Sequence, residues 1–189
     1  LQFVMKLIGI AERIVSPVEV ILFILAAVLG AYTGFLLSAL ISYPMLNNPV
    51  LPALFLASGT SSGIAATFLI ILIAGKLKGD SHESHFIHKF EVPIMVTELG
   101  LLVCFFVGLH FGGGQNTVAL HNAFSGFWGA IFWVGVLIIG ILIPLIANMF
   151  VNDRLKYNRN FIILVSIFDL IGVFCLRFFI LYAGQLTVA

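Results

Sequence analysis

Apolar residues in this chain come in long unbroken runs. They show neither the alternation of a strand nor the one-sided stripe of a surface helix. Five runs stand out, at about Val18–Leu40, Val50–Ala74, Val92–Phe111, Phe127–Phe150 and Phe161–Val188. Each is close to the ~20 residues that a helix needs to cross a bilayer. In lipid every backbone N–H and C=O must be satisfied within the protein, so uninterrupted apolar runs of this length predict helices. The expected architecture is an all-α integral membrane protein. Residues 1–189 form a single bundle of five transmembrane helices. Pro144 falls inside the fourth run and is expected to kink it.

The polar connections carry charge on one side only. Lys6 and Arg13 precede the first run, Lys76, Lys78 and Lys89 separate the second from the third, and Arg154, Lys156 and Arg159 separate the fourth from the fifth. The connections 41–49 and 112–126 hold no Lys or Arg. The positive-inside rule then predicts a cytoplasmic N-terminus, and five crossings put the C-terminus in the periplasm. The uncharged, Gly-rich loop GGGQNTVALHNAFSG (Gly112–Gly126) faces outward in this arrangement. It is either a docking surface for a partner protein or an ordinary connection.

Composition agrees with the pattern. Of the 189 residues 61% are hydrophobic and 9% are charged, against about 25% charged in soluble domains. The lipid bilayer is therefore the first partner. A net charge of +1 gives no footprint for nucleic acid. Cys104 and Cys175 lie inside apolar runs, where they read as small packing residues. The chain begins at Leu1 with no secretory signal pattern, and is expected to be a piece of a longer protein.

Three charged residues lie well inside the runs: Glu98, Asp169 and Arg177. A charge at mid-membrane costs about 2.5–3.5 kcal/mol on insertion scales, so each is a candidate for a proton or charge path. Glu98 and Asp169 lie ~10 and ~12 Å from the cytoplasmic ends of their runs at 1.5 Å per residue, hence at similar depth. Arg177 follows Asp169 by two turns on roughly the same side. The plainer alternative is a carboxyl hydrogen-bonded between helices, with an arginine snorkelling to the interface.

The run Ser58-Gly59-Thr60-Ser61-Ser62-Gly63 interrupts the second helix with small and hydroxyl residues. It reads chiefly as a helix–helix seam, with a water or ligand contact as the alternative. Pro44, Pro49 and Pro52 fix the turn before it. His82, His85 and His88 lie three apart in a charged connection, and read as solvated side chains rather than as metal ligands. No histidine lies mid-helix, so the chain is expected to bind no haem. No iron–sulfur motif, metal site or catalytic set is visible.

Six stretches carry a resemblance. They are YTGFLLSA (Tyr32–Ala39), NNPVLPALFLASGTSSG (Asn47–Gly63), Glu98, Phe127-Trp128, GILIP (Gly140–Pro144) and LRFFILYAGQ (Leu176–Gln185). In order, they resemble the polysulfide reductase membrane-subunit family, NrfD/PsrC-like, in its C-terminal portion. Within that pattern Asn47, Pro49, Pro52, Ser58, Ser61, Gly63 and Gln185 serve as family-motif and packing positions. The resemblance implies a membrane subunit of a bacterial inner-membrane respiratory complex, of the formate-dependent nitrite reductase or polysulfide reductase type. Its substrate would be quinone or quinol. Its partners would be a periplasmic four-cluster iron–sulfur subunit and that subunit's catalytic partner. It also implies that family members are longer, with the quinone pocket built largely from an N-terminal bundle. Two further readings stay open: a structural anchor without quinone chemistry, and a transporter-like module.

Overall fold

The computed structural model describes residues 2–73, 82–150 and 159–186, and side chains within 17–73, 91–150 and 159–186. Every regular element among them is helical. Helix α1 runs Gln2–Ser38 and α2 runs Leu51–Ile73. Helix α3 runs His82–Phe111 and α4 runs Gln115–Phe124. The fourth span begins as α5 (Gly126–Ala130), continues as a π-helix over Ile131–Leu142 and ends as α6 (Ile143–Phe150). Helix α7 runs Arg159–Gln185. Five stretches are long and apolar enough to cross a membrane: Pro17–Ser38, Leu51–Ile73, Glu91–Phe111, Gly126–Phe150 and Arg159–Gln185.

These spans follow the hydropathy runs, with four differences. Helix α1 continues back to Gln2 through Pro17, which a membrane helix tolerates. Helix α3 starts at His82, so Glu91 falls within the span instead of before it. Helix α7 ends at Gln185, short of the expected Val188. The Gly-rich connection is not a plain loop, because it contains α4. Positive φ at Gly113, Gly114 and Gly126 turns the chain on either side of that helix, a conformation that favours glycine.

Neighbouring spans run antiparallel, as their cross-contacts require. Gly34 of α1 lies against Pro52 of α2, and Gly30 lies against Leu56. Ser61 of α2 meets Asp169 of α7, while Phe55 meets Arg177. Gly140 meets Gly172, and Gly135 meets Cys175. Lipid tails are as apolar as leucine, so helix association in a bilayer rests on close packing and interhelical hydrogen bonds. Gly34 and Gly140 supply the close approach. A Cβ on Gly34 would come within 2.5 Å of the Pro52 Cα.

The main core gathers at the end where α1 turns into α2. Met45 and Leu46 of the turn are buried there with Leu51, Leu54, Phe105, Leu109, Phe132 and Phe179. The short α4 caps this core with Ala119 and Ala123, one turn apart on one face. Trp128 stacks on Tyr182 with ring centroids 6.0 Å apart and planes 8° apart, consistent with an aromatic belt at a membrane interface.

Pro144 comes two residues after the π-helix. The Ile143 N–H bonds back to the Ile138 carbonyl, one residue further than an α-helix reaches. Proline in an α-helix clashes with the carbonyl four residues before it. The wider π turns shift that carbonyl, so Pro144 is met by a change of helix type.

The turn is locked from inside by Asn48. Its Nδ2 donates to the Phe105 carbonyl at 3.2 Å, and its Oδ1 accepts from the Val50 N–H at 3.0 Å. One side chain thus starts α2 and fastens it to α3. Replacing Asn48 with leucine is expected to lower stability by about 1–3 kcal/mol, since a buried donor and a buried acceptor lose their partner. Unfolding of the purified protein in detergent measures this, and an unchanged midpoint would remove Asn48 from that role.

Candidate functional site

Polar side chains are scarce in the bundle, and among the described residues six of the eight buried ones lie on α2, α3 and α7, the other two being Asn48 of the turn and Asn148 of α6. Helix α2 presents Ser58 and Ser61, α3 presents Glu91 and Glu98, and α7 presents Ser166 and Asp169, all buried. Helical periodicity makes this possible. Glu91 and Glu98 are two turns apart on one face, and Ser166 and Asp169 one turn apart.

Asp169 is the best-defined member. The Ser61 hydroxyl donates to both of its carboxyl oxygens, at 3.0 Å to Oδ1 and 3.1 Å to Oδ2. Asp169 is 2% exposed and Glu98 3%. Each lies within electrostatic reach of another carboxyl. Glu98 interacts with Asp169 and with Arg177, and Asp169 also interacts with Glu91. The structure therefore brings together the three ionisable residues expected from the sequence. It adds Glu91, which the sequence reading missed because it placed the start of the third span one residue later.

Arg177 is half-buried and turns sideways onto α2. Its Cζ lies 5.1 Å from the centroid of the Phe55 ring, in cation–π geometry. A Cβ built on Gly59 would lie 3.5 Å from its Nη2. Gly59 is eight residues from the start of α2, and Arg177 eight from the end of α7. At 1.5 Å per residue both sit ~12 Å below the turn end. The guanidinium thus lies against α2 at depth.

The hydroxyl run divides by face. Ser58 and Ser61 are buried in the seam, and the Ser58 Oγ has no hydrogen-bond partner among the described residues. Gly59, Thr60 and Gly63 face the other way and border a groove of about 610 Å³ between α1 and α2, together with Phe23, Gly30 and Thr67. The seam expected for this run therefore occupies one side of the helix, and an open groove the other.

The other family-motif positions scatter. Pro52 is buried at the Gly34 crossing. Asn47, Pro49, Gly63 and Gln185 are exposed, so the buried work of the turn falls to Asn48, one position beyond Asn47. His110 and His121 border a cavity of about 390 Å³ at the turn end, with Thr117 and Ser125. Among the described residues no three His, Cys, Asp or Glu side chains converge as metal ligands would. The side chains of His82, His85 and His88 lie outside the described residues.

A family model described as "Polysulphide reductase, NrfD" matches residues 1–189. The chain is 97% identical to "Protein NrfD homolog" of Haemophilus influenzae over 189 residues, which is 100% of this chain and 59% of that protein. It is 44% identical to "Protein NrfD" of Escherichia coli over 190 residues, again 100% of this chain and 59% of the relative. It is 41% identical to a polysulfide reductase subunit of Wolinella succinogenes over 189 residues, 98% of this chain and 59% of the relative. The chain thus spans 59% of the length of each of these relatives.

Proposed function

Because the chain belongs to the polysulphide reductase NrfD family, we propose that it is part of the membrane subunit of a respiratory oxidoreductase. In this reading the subunit exchanges electrons between the quinone pool and a periplasmic iron–sulfur protein, which passes them to or from a catalytic subunit. The observation that carries the reading is the family match along the whole chain, joined to the names of the relatives. The uncharged turn end, with α4 and its aromatic belt, is the periplasmic face where the partner docks. The ends bearing Lys and Arg are cytoplasmic, and the membrane is the bacterial inner membrane.

Quinol oxidation yields two electrons and two protons. The electrons go to the partner's clusters. The protons need groups that take up and release them inside a medium that excludes water. Glu98 and Asp169 are carboxyls at a helix interface, and Ser61 holds Asp169 in place. We assign them the proton-carrying role, with Arg177 supplying a fixed positive charge to the same cluster. The burial of polar groups from three helices on one interface supports that assignment.

The test is steady-state oxidation of a naphthoquinol by the purified complex, with and without this subunit. Oxidation that requires the subunit supports the proposal. Assembly of the complex with no subunit-dependent oxidation would reduce it to an anchor. Solute flux in proteoliposomes without redox chemistry would make it a transporter.

A further inference from the structure

The polar groups Ser58, Ser61, Glu98 and Asp169 are buried by this chain alone, and one of them is unmet. The Ser58 Oγ is fully buried and has no hydrogen-bond partner among the described residues. A buried hydroxyl in that position costs about 1–3 kcal/mol, and ordered water is the common remedy. Ser58 faces the polar cluster. It lies on the buried stripe of α2 with Phe55 and Ser61, three residues from each and so on one face. Phe55 meets Arg177, and Ser61 meets Asp169. The hydroxyl between them is turned to the same interface.

Register sets the levels. Asn48 bonds to the Phe105 carbonyl and lies beside Gly108 of α3. Ten residues on from Asn48 is Ser58, and ten back from Gly108 is Glu98, so the antiparallel pair brings these two to about one level. The Ser61–Asp169 bond lies three residues further along α2, or ~4.5 Å of helical rise. Glu98 and Asp169 interact electrostatically, yet no hydrogen bond joins them among the described residues. An offset of ~4.5 Å exceeds one hydrogen bond between oxygens, about 2.5–3.0 Å, and is within the reach of two in series. That is the span of one bridging water.

Charge selects water over a cation. The Arg177 guanidinium rests beside Gly59, the residue after Ser58, and its charge reaches Glu98. A metal cation at this place would face that charge, and a neutral water does not. We propose that Ser58 holds an ordered water between Glu98 and Asp169. The water accepts from the Ser58 hydroxyl and from a protonated Glu98, and donates to the Asp169 carboxylate, three bonds being usual for buried water. The proton of Glu98 passes to the water as one of the water's own passes to Asp169. The water is restored, Glu98 is ionised and Asp169 is neutral. Ser58 is a positioning residue, which fixes the water and gives up no proton. This rests on the proton-carrying role assigned above and deepens it by supplying the step between its two carriers.

The experiment uses the complete complex with the full-length subunit. Redox-difference infrared spectroscopy reads the carbonyl stretch of protonated carboxyls, and its loss in Glu98→Gln identifies the Glu98 band. Ser58→Ala is expected to shift that band to higher frequency, because the carboxyl loses its water. The same variant is expected to slow quinol-coupled turnover about tenfold, less than the 10²–10⁴-fold of a proton-transfer group itself. A Ser58 that serves packing alone would leave the band where it is. A density map of the unmodified complex, fine enough to show ordered water, is expected to place one within hydrogen-bond distance of the Ser58 Oγ, and this readout requires no variant to fold. An unmoved band or an unchanged rate in Ser58→Ala, or a map in which protein atoms alone lie between Glu98 and Asp169, would overturn the water site and leave the proton-carrying role standing. If no band is lost in Glu98→Gln, that role falls, and the water step with it.

Discussion

Replacing Gly172 with leucine is expected to destabilise the protein by about 3 kcal/mol or more, the upper end of the cost of overpacking. Helix α7 and the π-helix cross backbone to backbone at this residue. A Cβ on Gly172 would overlap the Gly140 Cα, and a Cβ on Gly140 would come within 2.5 Å of the Gly172 Cα. The obstructing atoms are main chain, so no rotamer change relieves the clash and the helices must separate. Separation is opposed on both sides. One turn along α7, Gly135 accepts Cys175, whose Sγ lies 3.0 Å from where a Cβ would stand. Three residues the other way, Asp169 is tied to Ser61. Pushing α7 away therefore also disturbs the buried polar cluster. Gly63→Ala is the control, because its Cβ meets open space. Unfolding midpoints in detergent read the difference. A wild-type midpoint for Gly172→Leu would mean that this crossing does not hold the bundle together.

Glu98→Gln is expected to preserve the fold and remove function. Glutamine matches the shape of glutamate and cannot exchange a proton. Glu98 is 3% exposed and interacts electrostatically with Asp169 and Arg177, so it occupies the centre of the proposed path. Positioned proton-transfer groups contribute typically 10²–10⁴-fold to rate, and a loss of about 100-fold in quinol-coupled turnover is expected. Proton movement in proteoliposomes should fall with it. If turnover and proton movement are both unchanged in the assembled complex, Glu98 carries no protons.

The spans were legible because hydropathy reports what a bilayer demands of a helix. Five runs became five spans, with ends displaced by a few residues. The ionisable residues were legible too, since a charge in an apolar run is conspicuous, and helical spacing put Asp169 and Arg177 on one side of α7, both against α2. Glu91 escaped because it adjoins the polar stretch His82–Phe90, and a helix that extends beyond the hydrocarbon leaves no hydropathy edge. Helix α4 was hidden by the glycines that flank it, although Ala119 and Ala123 at helical spacing were a signal. The π-helix had none. Ile131–Leu142 is apolar on every side, so the register of its backbone bonds leaves no periodic trace, and Pro144 gave the sole hint. The division of Ser58–Gly63 into seam and groove depended on which neighbour covers each face, a fact of assembly that spacing alone does not contain.

The most direct test of the proposed function is a single-turnover experiment. The anaerobic oxidised complex, with the full-length subunit, is mixed rapidly with a tailed naphthoquinol, and reduction of the partner's iron–sulfur clusters is followed optically and by electron paramagnetic resonance. The clusters are expected to be reduced by the quinol when this subunit is present, and removal of the subunit is expected to abolish that reduction while dithionite still reduces the clusters. Equal rates of quinol-driven reduction with and without the subunit would contradict it.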